Sequence, residues 1–258
     1  MKLSIIIVSW NVHDRLQNCL ESIYHNHDDI NLEVFVVDNG SKDGSNQMVK
    51  DKFPQVILIA NESNQGFARA NNQALKLAQG KYILFLNPDT LIFSGTLAKS
   101  VNFIAKTADC GLMGCKILNS NKSIQPSVRK FPHRWPIFLI LTKLPKLFNF
   151  KSVNNYLSDN FDYQKTTLVD QVMGAFMMMP KSVIDCVGVF DDKFFLWFEE
   201  VDLCRRVWDN QFKVYYNSEP EIIHYGGSSF SQQIKIKNQW RFFRSAWYYF
   251  KKHGQKHI

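Results

Sequence analysis

LSIIIVSWNVHDRLQNCLESIY, residues 3–24, opens on an almost unbroken apolar, β-branched run and then sets Leu16, Cys19, Leu20 and Ile23 at helical spacing. A run without polar alternation is the pattern of a strand covered on both faces, so the chain begins β then α. The unit repeats outward from there. EVFVVD (33–38) is a strand, Ser45 is placed to cap a short helix, VILIA (56–60) is a strand, and FARANNQALKLAQ (67–79) is a helix closed by Gly80. KYILFL (81–86) follows as a strand, then Ser94 and a helix with Leu97, Val101 and Ile104 inward. Alternation of this kind predicts an α/β fold, a doubly wound and mostly parallel sheet with helices on both faces.

After GLMGCKIL (111–118) the rhythm breaks into a proline-punctuated segment, about 119–168, expected to be an insertion or lid, with SVRKFPHRWP (127–136) as extended chain. Order returns with QVMGAFMMMP (171–180), a strand entering a helix at Pro180 that Gly188 closes. The simplest division is one domain over 1–230 and a C-terminal elaboration, a basic aromatic helix, over 231–258.

The chain has 258 residues, 45% of them hydrophobic, which suits a globular protein with a sizeable core. Its net charge of +8 favours anionic partners such as phosphates or acidic headgroups. The basic residues form no recognisable nucleic-acid motif, so no nucleic-acid partner is expected. Five scattered cysteines without C-x-x-C spacing suggest neither a disulfide framework nor a zinc site, and point to a reducing, cytoplasmic setting. MKLSIIIVSW lacks a small-residue cleavage site and is expected to be a strand rather than a signal peptide. No stretch reaches the roughly 18 apolar residues that a spanning helix needs.

Ligands of an open parallel sheet bind beyond the carboxyl ends of its strands. Four strand ends here are polar: SWN (9–11), DNGSKDGS (38–45), NESNQGFARANN (61–72) and NPD (87–89). Each alone is ordinary turn chemistry; four on one edge suggest a site. Neither G-x-G-x-x-G nor G-x-x-x-x-G-K-[ST] occurs, so dehydrogenase and P-loop readings fall. Trp10, flanked by Ser9 and Asn11, can pack against a base while Asp38 accepts from a ring N–H. Asp89, behind a proline, can present its carboxylate to a divalent cation carrying a diphosphate.

In order and spacing, DNGSKDGS, NQGFARANN, FLNPD, GAFMMMP and FLWFEEVDLCRR resemble the inverting glycosyltransferases of family 2, especially the rhamnosyltransferase-like branch. The resemblance runs from about residue 3 to 230. It implies a GT-A fold, a nucleotide-diphosphate sugar donor, a divalent metal (Mn or Mg), and single displacement with inversion. Carried across, Ser9, Asn11, Asp38, Ser41, Arg69, Asn71 and Asn87 serve the donor, and Gly174 lets its sugar approach the backbone. NPD stands where the family has D-x-D, with Asn87 at the first acidic position and Asp89 as the remaining carboxylate. His224, in IIHYGG, is similar to a histidine that completes the metal's coordination in some members; a structural histidine is the alternative.

The resemblance places the base at Glu200, where the family usually has the second acid of an E-D pair, with Glu199 as the second candidate. Asp202 and Arg206 form an i,i+4 pair that gives Asp202 a structural role. The three methionines of GAFMMMP are expected to pack in the core. RKFPHRWPIFLILTKLPKLF (129–148) and the C-terminal helix interleave Lys and Arg with rings, a mix suited either to packing on the domain or to a membrane interface. The function expected is transfer to a glycan or lipid-linked acceptor in cell-surface polysaccharide synthesis, peripheral at the inner membrane face, with a homodimer left open. The rival readings are a non-catalytic GT-A-like binding module and a sugar-nucleotide nucleotidyltransferase.

Overall fold

The computed structural model describes residues 2–27, 29–142, 144–226 and 235–254. The first half runs β1 (Lys2–Ser9), α1 (His13–His25), β2 (Asn31–Asp38), α2 (Ser45–Lys52), β3 (Ile57–Ala60), α3 (Phe67–Leu75), β4 (Tyr82–Leu86), β5 (Thr90–Ile92), α4 (Thr96–Lys106) and β6 (Cys110–Leu118). It continues with β7 (Val128–Arg129), α5 (Arg134–Thr142), α6 (Lys151–Leu157), β8 (Thr167–Leu168), β9 (Gln171–Val172), β10 (Phe176–Pro180), α7 (Lys181–Val187), α8 (Glu199–Asp209), β11 (Lys213–His224) and α9 (Lys235–His253). The main sheet has nine strands in the order β3-β2-β1-β4-β10-β6-β11-β5, with β8 alongside β11. β1 pairs in parallel with β2 and β4, as do β2 with β3 and β6 with β11; β10 runs antiparallel between β4 and β6.

The unbroken apolar run of β1 is explained by the two layers it separates. Ile5 and Ile7 pack with α1, α2 and α4, whereas Ile6 packs with α3, α7 and α8. Met178 joins the first layer and Met177 and Met179 the second, so the methionines are core. A third apolar cluster joins Ile137, Phe194, Phe198, Val201, Ala246 and Tyr249, and so ties α5, α8 and α9 together. No helix among the described residues is long and apolar enough to cross a membrane.

Several local expectations need correction. Ser45 does not cap α2 but is its first residue behind Gly44, and both its N–H and its hydroxyl donate to Asp43. Likewise α4 starts at Thr96 behind Gly95, not at Ser94. α3 ends at Leu75, so Gly80 closes nothing; a Cβ there would lie 2.5 Å from the Ser4 nitrogen and hydroxyl, and close approach is what the position requires. In 127–136 only Val128 and Arg129 are strand; α5 starts at Arg134 and takes Pro136 in its first turn, where a missing N–H costs little. Of the expected C-terminal helix, 235–253 are helical, while 231–234 and 255–258 lie outside the described residues.

Candidate active site

The polar strand ends meet at one edge. Ser9 and Asp38 are register partners at the ends of β1 and β2. The Ser41 N–H donates to Asp38 Oδ2 at 2.8 Å, the Asn11 N–H to Ser41 Oγ at 2.8 Å, and the Lys42 N–H to Asn11 Oδ1 at 2.8 Å. Asn11 holds φ 51°, a left-handed conformation that asparagine tolerates. These bonds pin both loops, yet Ser9 Oγ and Asp38 Oδ1 are buried with no protein partner among the described residues. Such orphaned atoms are rare unless a ligand or water completes them.

Arg69 and Asn71 are placed elsewhere. Arg69 is exposed and faces Asp192 at 3.5 Å, and buried Asn71 donates to the Phe67 carbonyl within its own helix. What NQGFARANN contributes is a seam. The Phe67 N–H donates to the Phe195 carbonyl at 3.1 Å, and Gly66, at φ 85°, passes so close that a Cβ would meet that oxygen at 2.6 Å. Glycine is needed there on both counts.

Beyond β4, Asn87, Asp89 and His224 converge. His224 ends β11, pairs in register with Thr90 of β5, and sets Nε2 at 3.3 Å from both Asp89 Oδ1 and Asn87 Nδ2. Its Nδ1 lies 2.7 Å from Gln125 Oε1, and the Gln125 amide donates to the His224 carbonyl at 3.3 Å. An Nδ1–H donated to Gln125 leaves the Nε2 lone pair facing the Asp89 carboxylate. Two electron-rich atoms held that way are bridged by a proton or by a cation, and neighbouring ligands of one octahedral ion lie about 3 Å apart. One imidazole and one carboxylate therefore fit Mn or Mg, with further positions left to a diphosphate. No group of three or more His, Cys, Asp or Glu able to hold a metal occurs among the described residues.

The opposite wall is the N-terminus of α8. Trp197 and Phe198 hold φ 64° and 69°, two successive strained residues that turn the chain sharply into the helix. α9 holds that turn in place: the Ser245 hydroxyl donates to the Leu196 carbonyl at 2.9 Å, and Phe242 stacks edge-on against both Trp197 and Phe198. Glu199 is buried and Glu200 half-buried, and Oε2 of each has no protein partner among the described residues. Burial pushes both carboxyls up; the neighbouring Glu200 charge drives Glu199 further, while Arg129 restrains Glu200. Burial of this adjacent pair disfavours two full negative charges, and Glu200, with Arg129 favouring its ionised form, is the candidate base. A Cβ on Gly174 would lie 3.6 Å from the Glu200 Cβ, so the GAFMMMP glycine keeps the approach to Glu200 open.

Between these walls lies a cleft of about 360 Å³ whose lining includes Asn87, His224, Gly174, Trp197, Glu199 and Glu200. Sequence reasoning missed polar members of its lining, among them Gln125, Ser127 and Arg129. The Ser127 hydroxyl is buried without a protein partner among the described residues. All three come from the segment expected to be a lid, where no strand or helix spacing marked them. Asp202 points away from the cleft: Arg206 Nε lies at 2.9 Å, and Lys252 Nζ and His253 Nε2 both at 2.7 Å. The Arg206 pairing was legible; the two α9 partners, Lys252 and His253, were not.

Comparison with known proteins now bears on this geometry. The model of the family described as glycosyl transferase family 2 matches residues 4–187. The uncharacterized glycosyltransferase YfnE of Bacillus subtilis is 38% identical over 104 residues, 39% of this chain and 26% of that protein, so the match spans about a quarter of its length. The rhamnosyltransferase WbbL of Escherichia coli is 28% identical over 235 residues, 86% of this chain and 82% of that one. Among solved structures, the mannosyltransferase PcManGT of Pyrobaculum calidifontis, in complex with GDP-Man and Mn2+, superposes with a TM-score of 0.60. It is 18% identical, over 86% of this chain and 56% of that one. The fold is thus the GT-A-like sheet, mixed but mostly parallel.

Proposed function

The chain belongs to glycosyl transferase family 2, and we propose that it moves a sugar from a nucleotide-diphosphate donor to a hydroxyl of a glycan or lipid-linked acceptor, with inversion, in cell-surface polysaccharide synthesis. The observation that carries this reading is the cleft itself, with Glu200 on one wall and Asn87 and His224 on the other. Ser9, Asn11, Asp38 and Ser41 would hold the nucleoside, with the orphaned Asp38 Oδ1 accepting from a base N–H. Asp89 and His224 would hold a divalent metal, which when bound supplies positive charge to the leaving diphosphate. Gln125 fixes the His224 ring, and Asn87 is placed to bond ribose or diphosphate.

Glu200 accepts the proton of the acceptor hydroxyl as that oxygen attacks the anomeric carbon from the face opposite the diphosphate, which a single displacement requires. Burial of Glu199 disfavours a second negative charge beside the base. Arg129 favours the ionised form of Glu200, partly offsetting its burial, and stands ready for an anionic group on the acceptor. We assign residues 1–230 to the catalytic domain, 119–168 to a lid, and 231–258 to a C-terminal elaboration, with the cytoplasmic face of the membrane as the place of work. The test is a thermal-shift screen of nucleotide-sugar donors with Mn or Mg, followed by turnover with the donor that binds. A stabilisation appearing with nucleotide-diphosphate sugars supports the reading, since a ligand of the folded state raises its apparent stability. No response to any donor in either metal overturns it.

A further inference from the structure

We infer that the face built by α5 and α9 docks the protein on an anionic lipid bilayer, with the catalytic cleft opening beside that surface. This deepens the location proposed above, yet stands on charge and exposure rather than on the transfer chemistry.

The charge of the chain is divided sharply. Residues 110–158 carry eight Lys or Arg and residues 222–258 carry seven, and neither tract has an Asp or Glu. They hold 15 of the 31 basic and none of the 23 acidic residues, which leaves the rest of the chain at −7 although the whole is +8. These two tracts supply α5, α6 and α9, which the fold brings against one another. So large an asymmetry is no requirement of the fold, whose other surfaces are acidic on balance.

α9 is apolar on two opposite sides. At roughly 100° per residue, Phe242, Ala246, Tyr249 and His253 occupy one arc, which faces the protein; Trp240, Phe243 and Trp247 occupy the other, joined by Arg244 and Lys251. The outer rings are 46–61% exposed. On the neighbouring segment Trp135, Phe138, Leu147 and Phe148 are 53–77% exposed. The rings form stacked pairs, Trp135 on Phe138 and Trp240 on Phe243, and Lys251 Nζ sits 5.3 Å over Trp247. Exposed tryptophans with basic side chains beside them are the composition of a helix lying in a headgroup layer. A second copy would bring two net-basic faces together, which like charge opposes.

The surface leads to the chemistry. A groove of about 600 Å³ runs between α5 and α9 and includes Leu141; a smaller one of about 230 Å³ includes both Leu141 and Trp197; and Trp197 lines the cleft with Glu200. Leu141 and Trp197 are thus shared walls between the docking face and the cleft, which places the two side by side for a lipid-linked acceptor.

Co-sedimentation of the full chain with phosphatidylcholine vesicles, with and without phosphatidylglycerol, tests the inference. Binding is expected only with the anionic lipid and should weaken with salt. R244Q/K251Q should lower the partition coefficient about thirtyfold, two charges each worth about a fivefold change near such a surface. W240S/W247S should abolish binding, and both variants should keep the far-UV spectrum and any donor-induced thermal shift of the parent. Equal binding to neutral vesicles, no binding at low salt, or a self-association in sedimentation velocity that W240S/W247S removes would each overturn it. Vesicle binding without any donor response would leave this inference standing and sink the transfer reading; the reverse result would do the opposite.

Discussion

Asp202→Asn tests whether α9 holds the catalytic turn. The carboxylate is fully buried, 2.9 Å from Arg206 Nε and 2.7 Å from both Lys252 Nζ and His253 Nε2. Burial alone would raise its carboxyl, but the His253 hydrogen bond, the Arg206 charge and Lys252 more than reverse this and bring it to about 2, from 3.8. At about 1.4 kcal/mol per unit, the difference corresponds to about 2 kcal/mol of stability. Because the folded value is the lower one, this contribution is fully present above about pH 4 and is lost as pH falls through about 2. Asparagine also leaves Arg206 and Lys252 facing a neutral amide, and breaking a buried ion cluster in this way costs about 3–5 kcal/mol. The expected fall in Tm is roughly 6–20 °C at pH 7. Asp209→Asn, which removes a partner of Arg205 near the far end of α8, should cost less than about 1 kcal/mol. Turnover should drop as well, with the donor KM unchanged, because Ser245 and Phe242 of α9 hold the strained residues next to Glu200. A Tm loss no larger than that of Asp209→Asn refutes the ion-cluster account. A large Tm loss with full turnover of the folded fraction refutes the positioning account.

Glu200→Gln should keep donor binding and lose about 10²–10⁴-fold in kcat, the usual contribution of a general base; retained turnover with an unchanged pH profile would count against it. The acid limb of kcat should lie above the ordinary carboxylate range, since burial raises Glu200, with activity rising as pH increases through that limb. Arg129→Gln should move the limb to still higher pH by removing the cation that favours the ionised form, a shift read directly from the pH–rate profile. Asp89→Asn should abolish the dependence of donor affinity on metal, and equal calorimetric affinity with and without metal in the parent would remove the assignment. Gln125→Leu frees the His224 ring and should weaken metal affinity about 10–100-fold in a metal titration.

The sheet was legible because hydrophobic period and turn chemistry are local. β1 advertises two covered faces in six residues, and the polar strand ends follow directly from where each strand stops. Helix ends were less legible: Ser45 and Ser94 offered side chains suited to capping, but glycines stand at both N-caps, and Gly80 serves a contact with Ser4 instead of a helix terminus. Of the site residues, Ser9, Asn11, Asp38 and Ser41 come together in one bonded cluster, and Asn87, Asp89 and His224 in another. Arg69 and Asn71 are held elsewhere because the seam with Phe195 fixes how α3 meets the site. Gln125 and Arg129 reach the cleft by long-range packing of a segment whose sequence has the period of neither helix nor sheet, so nothing local announced them.

The acidic start of α8 shows why a sequence can place charged groups and still leave their states open. Glu199, Glu200 and Asp202 lie within four residues on one helical turn. Asp202 faces Lys252 and His253, contributed some fifty positions later, and is held far below its ordinary value. Glu199 is buried beside its neighbour's charge, and is raised well above the ordinary carboxylate value. Glu200 lies between these extremes because Arg129, from β7, partly offsets its burial. All three sit in the same first turn of α8; what separates them is the backbone N–H groups each accepts from, together with partners distant in sequence. A base set between a buried neighbouring carboxyl and an arginine can change its proton with little rearrangement, whereas the ion cluster around Asp202 resists any such change. The same helix therefore carries a labile carboxylate at the cleft and a fixed one at its back, and α9, which anchors the fixed one, also braces the turn that aims the other.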